Sequence, residues 1–449
     1  MTHTAAPITP VTGSQPVRPV FDQELTPDAF SRVIHGMVGS EVLKIAAEVR
    51  QLMADGRPVC NLTVGDFDPG QFPVPEELGQ ALVAAIQGGQ TNYPPSDGVL
   101  DLRQAIVEFA AREQGLEFPL ESVLVASGVR PLLYAACRTV LNPEDALVYG
   151  VPSWNTNHYG WLTEARNVPV ETRAEDGFHP TLDTLAPHLR SAALIALCSP
   201  GNPTGTMMPG EELERITTAV VEENLRRRDA GQRALFLLWD QVYGGLVHGD
   251  VQHDHPVRLV PESAPWVITL DGISKVFAAT GLRVGWSIAA PAITARMRDF
   301  LGHVGAWAPK PEQVATASFL RNTDAVARFR RQMDQGIRAR VTALADGFAA
   351  MRQEGLPVDL VRPQGGIYLS LQLGLIRGAC DGSAIASNDQ LRRLLLHEAG
   401  FAVVPFQAFG LPEDTGWFRL SVGAVSLEDI AAALPRIRAL LARCTAPAT

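Results

Sequence analysis

The stretch VITLDGISKVFAATGLRVGW, Val267 to Trp286, decides how the rest of the chain is read. Its first four residues form a short apolar run, suited to a strand buried on both faces. The run ends in Asp271-Gly272-Ile273-Ser274-Lys275, with Arg283 eight residues beyond the lysine. Earlier runs repeat the pattern: Val123–Val125, Ala146–Tyr149, Leu194–Cys198 and Ala234–Trp239, each followed by a longer amphipathic stretch. This alternation predicts an α/β fold whose large domain is a mostly parallel sheet sandwiched by helices. In such a sheet ligands bind outside the carboxyl ends of the strands, so the residues that follow each run carry the functional information.

Outward from this core, the texture changes after about residue 320. A long Arg-rich helical pattern over Ala325 to Glu354 precedes two-faced strands near Ile367–Leu371 and Phe401–Val404, and a final helix opens at Ser426 with Asp429 three residues on, a capping box. The expected division is a flexible extension over 1–30, an N-terminal part of a small domain over 31–70, a large domain over 71–322, and the rest of a smaller α+β domain over 323–449. The smaller domain is thus built from both ends of the chain. A helix is predicted over Glu211–Ala230, acidic in its first turn and basic in its last.

Composition narrows the partners. The chain of 449 residues is 46% hydrophobic, which supports a large core, and its formal charge of −10 leaves no basic footprint for nucleic acid. No apolar run reaches the ~20 residues that span a bilayer, and Met1 to Pro19 does not read as a signal peptide. The five cysteines are odd in number, widely spaced and without a CxxC pair, which suggests neither a disulfide framework nor a zinc cluster and fits a reducing cytoplasm. Only three lysines occur, Lys44, Lys275 and Lys310.

The strand ends carry a consistent chemistry. After Val123–Val125 comes Ser127-Gly128-Val129-Arg130-Pro131, a glycine turn into a helix whose first N–H groups, at Val129 and Arg130, face an anion. The next ends hold Trp154, then Ser199-Pro200-Gly201-Asn202-Pro203-Thr204-Gly205, then Asp240 and Tyr243, then Ser274 and Lys275. Each has an ordinary alternative: Asp240 as a helix cap, Asn202 as a turn former, Trp154 as core, Arg283 as a surface ion pair. As an ordered set they match the needs of pyridoxal 5'-phosphate: an aromatic face for its ring, a carboxylate for its ring nitrogen, donors for its phenolic oxygen, an amine for its aldehyde, and cationic and N–H groups for its phosphate.

With these motifs, SPGNPTG above all and Ser-Lys with an arginine eight residues on, the chain resembles the fold-type I, class I/II pyridoxal-phosphate-dependent aminotransferases over roughly residues 35 to 440. The resemblance implies that Lys275 joins the cofactor aldehyde and later shuttles a proton, and that Asp240 keeps the ring nitrogen protonated. It implies that Asn202 and Tyr243 bond the phenolic oxygen, that Trp154 stacks on the ring, and that Arg283, Ser274, Gly128, Val129 and Arg130 surround the phosphate. Tyr93, in Asn92-Tyr93-Pro94-Pro95, resembles the tyrosine that reaches the phosphate of a partner subunit, which implies a homodimer. Arg419 and Gly65 resemble the residues that receive the substrate α-carboxylate, a task suited to the planar donor fork of arginine.

Departures from the family pattern mark the open points. Gly272 stands where many members have a phosphate-binding serine, leaving Ser127 as a substitute. Phe406 and Gln407 replace small residues ahead of Phe409-Gly410, and no arginine for a distal carboxylate occurs around Gly305–Lys310. Arg130 is the substitute candidate, because its position resembles one that carries a lysine contacting the distal carboxylate in an aspartate-using subgroup. Its rival is an Arg130 that serves phosphate alone, with Trp307 and Phe406 favouring apolar side chains. His248, Asp250, His253, Asp254 and His255 offer metal-ligand chemistry, yet a solvated connection is the simpler account. The expected activity is a cytoplasmic transaminase moving an amino group from an L-amino acid, aspartate or glutamate favoured, to a 2-oxo acid. The alternatives are an aminotransferase for aromatic or apolar amino acids, and a lyase or synthase on the same fold; a regulatory or scaffolding protein is disfavoured by the retention of Lys275 and Arg419.

Overall fold

A computed structural model describes residues 18–22, 25–37 and 39–447. The chain divides into two units, Met1–Val38 and Gly39–Thr449. The first contains a 3-10 turn, Pro27–Ala29, and a one-turn helix, Arg32–His35. Most of the extension expected over 1–30 lies outside the described residues.

Seven strands build the main sheet of the second unit: β1 Val123–Ala126, β2 Ala146–Val151, β3 Arg166–Glu171, β4 Ala192–Cys198, β5 Phe236–Asp240, β6 Val267–Gly272 and β7 Gly285–Ile288. Their order across the sheet is β1-β7-β6-β5-β4-β2-β3, and every pairing is parallel except the two made by β7. β1 and β6 are buried along their whole length, because helices cover both faces of the sheet. Two strands escape the sequence pattern for opposite reasons. β3 is a mostly part-exposed edge strand carrying Pro169, so it lacks an apolar run, and β7 is only four residues long within the glycine-rich segment after Lys275.

The predicted helix near 211–230 spans Gly210–Asp229, with Glu211 and Glu212 in its first turn and Arg226–Arg228 in its last, each charge placed where the helix dipole favours it. The Arg-rich pattern forms one helix, Thr323–Gln353, started by Asn322, whose Oδ1 accepts from the Ala325 N–H at 3.1 Å. The expected capping box is formed by Ser426 and Asp429.

The smaller sheets come from the late part of the chain. Val358–Val361, Tyr368–Leu373, Val404–Pro405 and Trp417–Ser421 make a four-stranded antiparallel sheet. Cys60–Asn61 pairs in parallel with Phe401–Ala402, and Val42, Ile45 and Val49 of the helix Glu41–Ala54 share an apolar cluster with Leu396 and Val404. The architecture is therefore a large mostly parallel α/β sheet with a separate smaller domain. We propose that the large domain ends near 322 and that residues 323–449 form the smaller one together with the segment from Gly39 to about 70. The parallel pairing of Cys60–Asn61 supports that limit.

One expectation is overturned here. Cys380 and Cys444 face each other in antiparallel strands and form a disulfide across 64 residues of sequence, whereas Cys60, Cys137 and Cys198 are free. Spacing along the chain gave no sign of it, because only strand pairing makes the two neighbours. Denatured without reductant, the chain should release three titratable thiols; five would refute the bond. Cys380→Ala with Cys444→Ala should lower the unfolding free energy by about 2–4 kcal/mol in urea titration.

Candidate active site

The carboxyl ends of β1, β2, β4, β5 and β6 open on one cavity of about 640 Å³. Val129, Arg130, Trp154, Asn202, Asp240, Tyr243, Ser274, Lys275 and Arg283 line it from the large sheet, and Gly65 and Arg419 line it from the other side. Gly128 does not line it but forms the N-cap of the helix Val129–Val140, so the first N–H groups of that helix sit at the cavity wall. Sequence positions more than 350 residues apart thus converge on one space, as the strand-end argument expects.

Lys275 lies in a one-turn helix, Ile273–Val276, that follows β6 directly. Its Nζ donates to the Gly65 carbonyl at 2.6 Å. Burial pulls its pKa down to about 8; the Asp66 carboxylate works against this, and Arg419, Arg130 and Arg283 add to it. Asp240, at the end of β5, has Oδ1 accepting from the Val242 N–H at 3.1 Å, and burial pushes its carboxyl up to about 6. Gly272 has a backbone reason to be glycine: a Cβ there would lie 2.9 Å from both Gly285 Cα and Val284 O, so β6 and β7 could not pair this closely with a serine in place.

Arg283 adopts a left-handed backbone conformation, φ 57°, a strained state for a residue with a side chain. Its guanidinium is held by Nη1 donating to Thr280 O at 2.8 Å and Nη2 to Ser127 O at 3.2 Å, beside the helix N-terminus at Gly128. Ser127 therefore contributes its carbonyl to positioning Arg283. Arg130 stands over the Trp154 ring, 5.4 Å from its centroid, with no acidic partner among the described residues.

Arg419 is 1% exposed, yet among the described residues no carboxylate pairs with it. Its Nη1 donates to Asn202 Oδ1 at 3.2 Å and its Nη2 to Thr63 O at 2.6 Å, while Nε stays without a partner. A buried guanidinium satisfied only by neutral oxygens is costly until an anion joins it. Tyr243 Oη lies 2.6 Å from Tyr368 Oη, both buried.

Several expected residues fall elsewhere. Tyr93 does not line the cavity; it is 84% exposed and packs edge-to-face on Trp307, 5.6 Å between centroids. Neither Trp307, Phe406 nor Gln407 lines it either. Phe406 is buried against Phe178 and Trp417, and Gln407 bonds Asn388, Glu413 and Asp414. The connection is solvated at Gly249, Asp250 and Gln252, but its three histidines turn inward. His248 Nε2 meets Gly366 O at 2.8 Å, His253 Nε2 meets Ser199 O at 2.8 Å, and His255 Nε2 meets Thr269 Oγ1 at 3.0 Å. Burial lowers the pKa of all three, and the bonds of His248 to Gly366 O and of His253 to Ser199 O work against that fall. Sequence reading missed Asp66, Phe178, His179 and Tyr368 as lining residues. Asp66 adjoins the identified Gly65, but nothing local distinguishes Tyr368 from any inward-facing strand residue.

The model of the family described as aminotransferase class I and II matches residues 57–437. The chain belongs to this family and is a transaminase. It is 30% identical to an aspartate aminotransferase of Streptomyces avermitilis over 409 residues, covering 90% of this chain and 94% of that one. It is also 30% identical to an aspartate/prephenate aminotransferase of Thermus thermophilus, covering 92% and 99%. Among solved structures, the Thermus thermophilus aspartate aminotransferase with maleate superposes with a TM-score of 0.81 at 27% identity, covering 92% of this chain and 99% of that one. The Rhizobium meliloti aspartate aminotransferase does so with a TM-score of 0.83 at 26% identity, again covering 92% and 99%.

The lowered amine pKa gives a direct check on the site. Lys275 is protonated below its folded pKa, so its acylation rate in the protein without cofactor, followed by peptide mass spectrometry, should rise through a midpoint at about pH 8. Asp66→Asn removes the attraction that favours the charged form and should move that midpoint lower. An unchanged or higher midpoint would contradict the electrostatic account.

Proposed function

We propose that the chain is a pyridoxal 5'-phosphate-dependent aminotransferase that takes the amino group of L-aspartate or L-glutamate and delivers it to a 2-oxo acid. The observation that carries this reading is the cavity itself: an amine of lowered pKa, Arg283 with a helix N-terminus beside it, and a buried Arg419 with no carboxylate partner among the described residues. These residues fit the cofactor. Lys275 would hold its aldehyde carbon, Asp240 its ring nitrogen, Asn202 and Tyr243 its phenolic oxygen, Trp154 its ring face, and Arg283, Ser274 and the N–H groups of Val129 and Arg130 its phosphate. Bound there, the group supplies an electron sink that weakens the Cα–H bond of the amino acid.

The protein's own residues then have separable tasks. Arg419 orients the α-carboxylate, and its bond to Asn202 ties that grip to the phenolic-oxygen side of the site. Lys275 Nζ, with a pKa of about 8, is partly unprotonated at neutral pH and could take the Cα proton and hold it for the aldehyde carbon of the bound group, which lies across the nitrogen from Cα. Asp240 holds a proton between its carboxylate and the ring nitrogen.

For the distal carboxylate we propose Arg130, which lines the cavity and has no acidic partner among the described residues. This favours acidic substrates over the apolar alternative, whose expected determinants Trp307 and Phe406 do not line the cavity. The homodimer belongs to the same proposal: Tyr93 is exposed and outside its own cavity, as a residue serving a second subunit would be. A cytoplasmic location belongs to the same proposal, and the Cys380–Cys444 disulfide counts against it because such bonds are rare in a reducing cytosol; among the described residues no helix is long and apolar enough to cross a membrane.

The test is a panel of L-amino acids added singly to the cofactor-loaded protein, with the visible absorbance followed. Aspartate or glutamate should react. Arg130→Ala should lower kcat/KM for aspartate by about 10–100-fold and for alanine by less than about 3-fold. Equal losses for both would sink the distal-carboxylate role. Borohydride reduction should fix the cofactor's mass on the Lys275 peptide and nowhere in Lys275→Ala.

A further inference from the structure

Tyr243 touches a second phenol that the cofactor reading leaves unused. Tyr368 projects from the strand Tyr368–Leu373 of the four-stranded sheet and brings its Oη within 2.6 Å of Tyr243 Oη. Each hydroxyl has a single proton to donate and lone pairs to accept with. If Tyr243 gives its proton to Tyr368, it has none to point into the cavity. If Tyr368 donates, the Tyr243 proton is free to face the cavity, and the bond it then makes is strengthened by the one it receives.

The position of Arg419 favours the second arrangement. The Arg419 guanidinium lies 4.8 Å from the centre of the Tyr368 ring, next to the phenol that would give up its proton. Burial raises the pKa of both phenols, and the Arg419 charge works against that rise at each. Tyr368 also abuts the loop that carries Gly65: a Cβ on Gly65 would sit 2.8 Å from Tyr368 Oη, and the Gly65 carbonyl is the acceptor for Lys275 Nζ. One hydroxyl therefore stands between the phenolic-oxygen donor and the lysine's resting place.

Resting on the cofactor assignment above, we propose that Tyr368 is a positioning residue: its hydroxyl donates to Tyr243 and thereby turns the Tyr243 proton toward the cofactor's phenolic oxygen. Donation to that oxygen draws charge from it, so the proton it shares with Lys275 Nζ is held less tightly. Removing the Tyr368 hydroxyl weakens this donation, and the proton is then held to higher pH.

Tyr368→Phe deletes the hydroxyl and keeps the ring under Arg419. In protein loaded with pyridoxal 5'-phosphate, the midpoint of the pH-dependent visible absorbance change should rise by about 0.5–1 pH unit relative to the parent. Tyr243→Phe should raise it at least as much, and adding Tyr368→Phe to Tyr243→Phe should then change nothing further. An unmoved midpoint in Tyr368→Phe, or shifts that add in the double variant, overturns the proposal. If Tyr368→Phe does not fold, judged by thermal unfolding of the protein without cofactor, Tyr368→His takes its place; its ring N–H can restore a donor, and a midpoint as high as that of Tyr243→Phe would overturn the proposal. Absence of any visible band in the parent protein would instead reject the cofactor reading, so the two failures are distinguishable.

Discussion

The structure depends on gathering positive charge at the carboxyl end of its main sheet, with one guanidinium, that of Arg419, fully buried there. Lys275, Arg130, Arg283 and Arg419 are among the residues lining one cavity, with Asp66 and Asp240 as the carboxylates. Taking such groups from water without matching anions is unfavourable, and the lowered pKa of Lys275 is one visible consequence. Ligands that carry a phosphate and one or two carboxylates relieve that imbalance, so the electrostatics favour anionic occupants before any reaction begins.

The fold supplies the means to hold this arrangement. Parallel strands deliver their ends to a common edge, and short connections there place one functional residue per strand. Local backbone cost is accepted at the same edge: Arg283 takes a left-handed conformation that its bonds to Thr280 O and Ser127 O maintain. From the smaller domain, Arg419 and Tyr368 occupy adjacent antiparallel strands and reach Asn202 and Tyr243 respectively. Hydrogen bonds between the two sheets therefore run through residues that line the cavity, which couples the placement of its two walls.

Legibility in the sequence followed locality. Each strand-end residue of the main sheet was readable because the apolar run, the turn and the polar residue lie within ten positions of one another, as at Val267–Lys275. Arg419 and Gly65 needed the family resemblance, since nothing near them in the chain says which cavity they face. Tyr368 was hidden because an inward-pointing tyrosine on a buried strand looks like core. The Cys380–Cys444 bond and the inward anchoring of His248, His253 and His255 were misread for the same reason: their partners are distant in sequence.

By itself, the sequence determined the α/β class and the strand ends that line the cavity, and it singled out Lys275 among three lysines as the candidate amine, because periodicity and turn signals are local and an amine able to form an imine is a chemical requirement that arginine cannot meet. Only the tertiary structure decided which distant groups share a hydrogen bond, which guanidinium lacks a carboxylate, and which aromatic residues line the cavity. Those properties depend on distance and burial, and both are set when the two domains pack over the sheet edge.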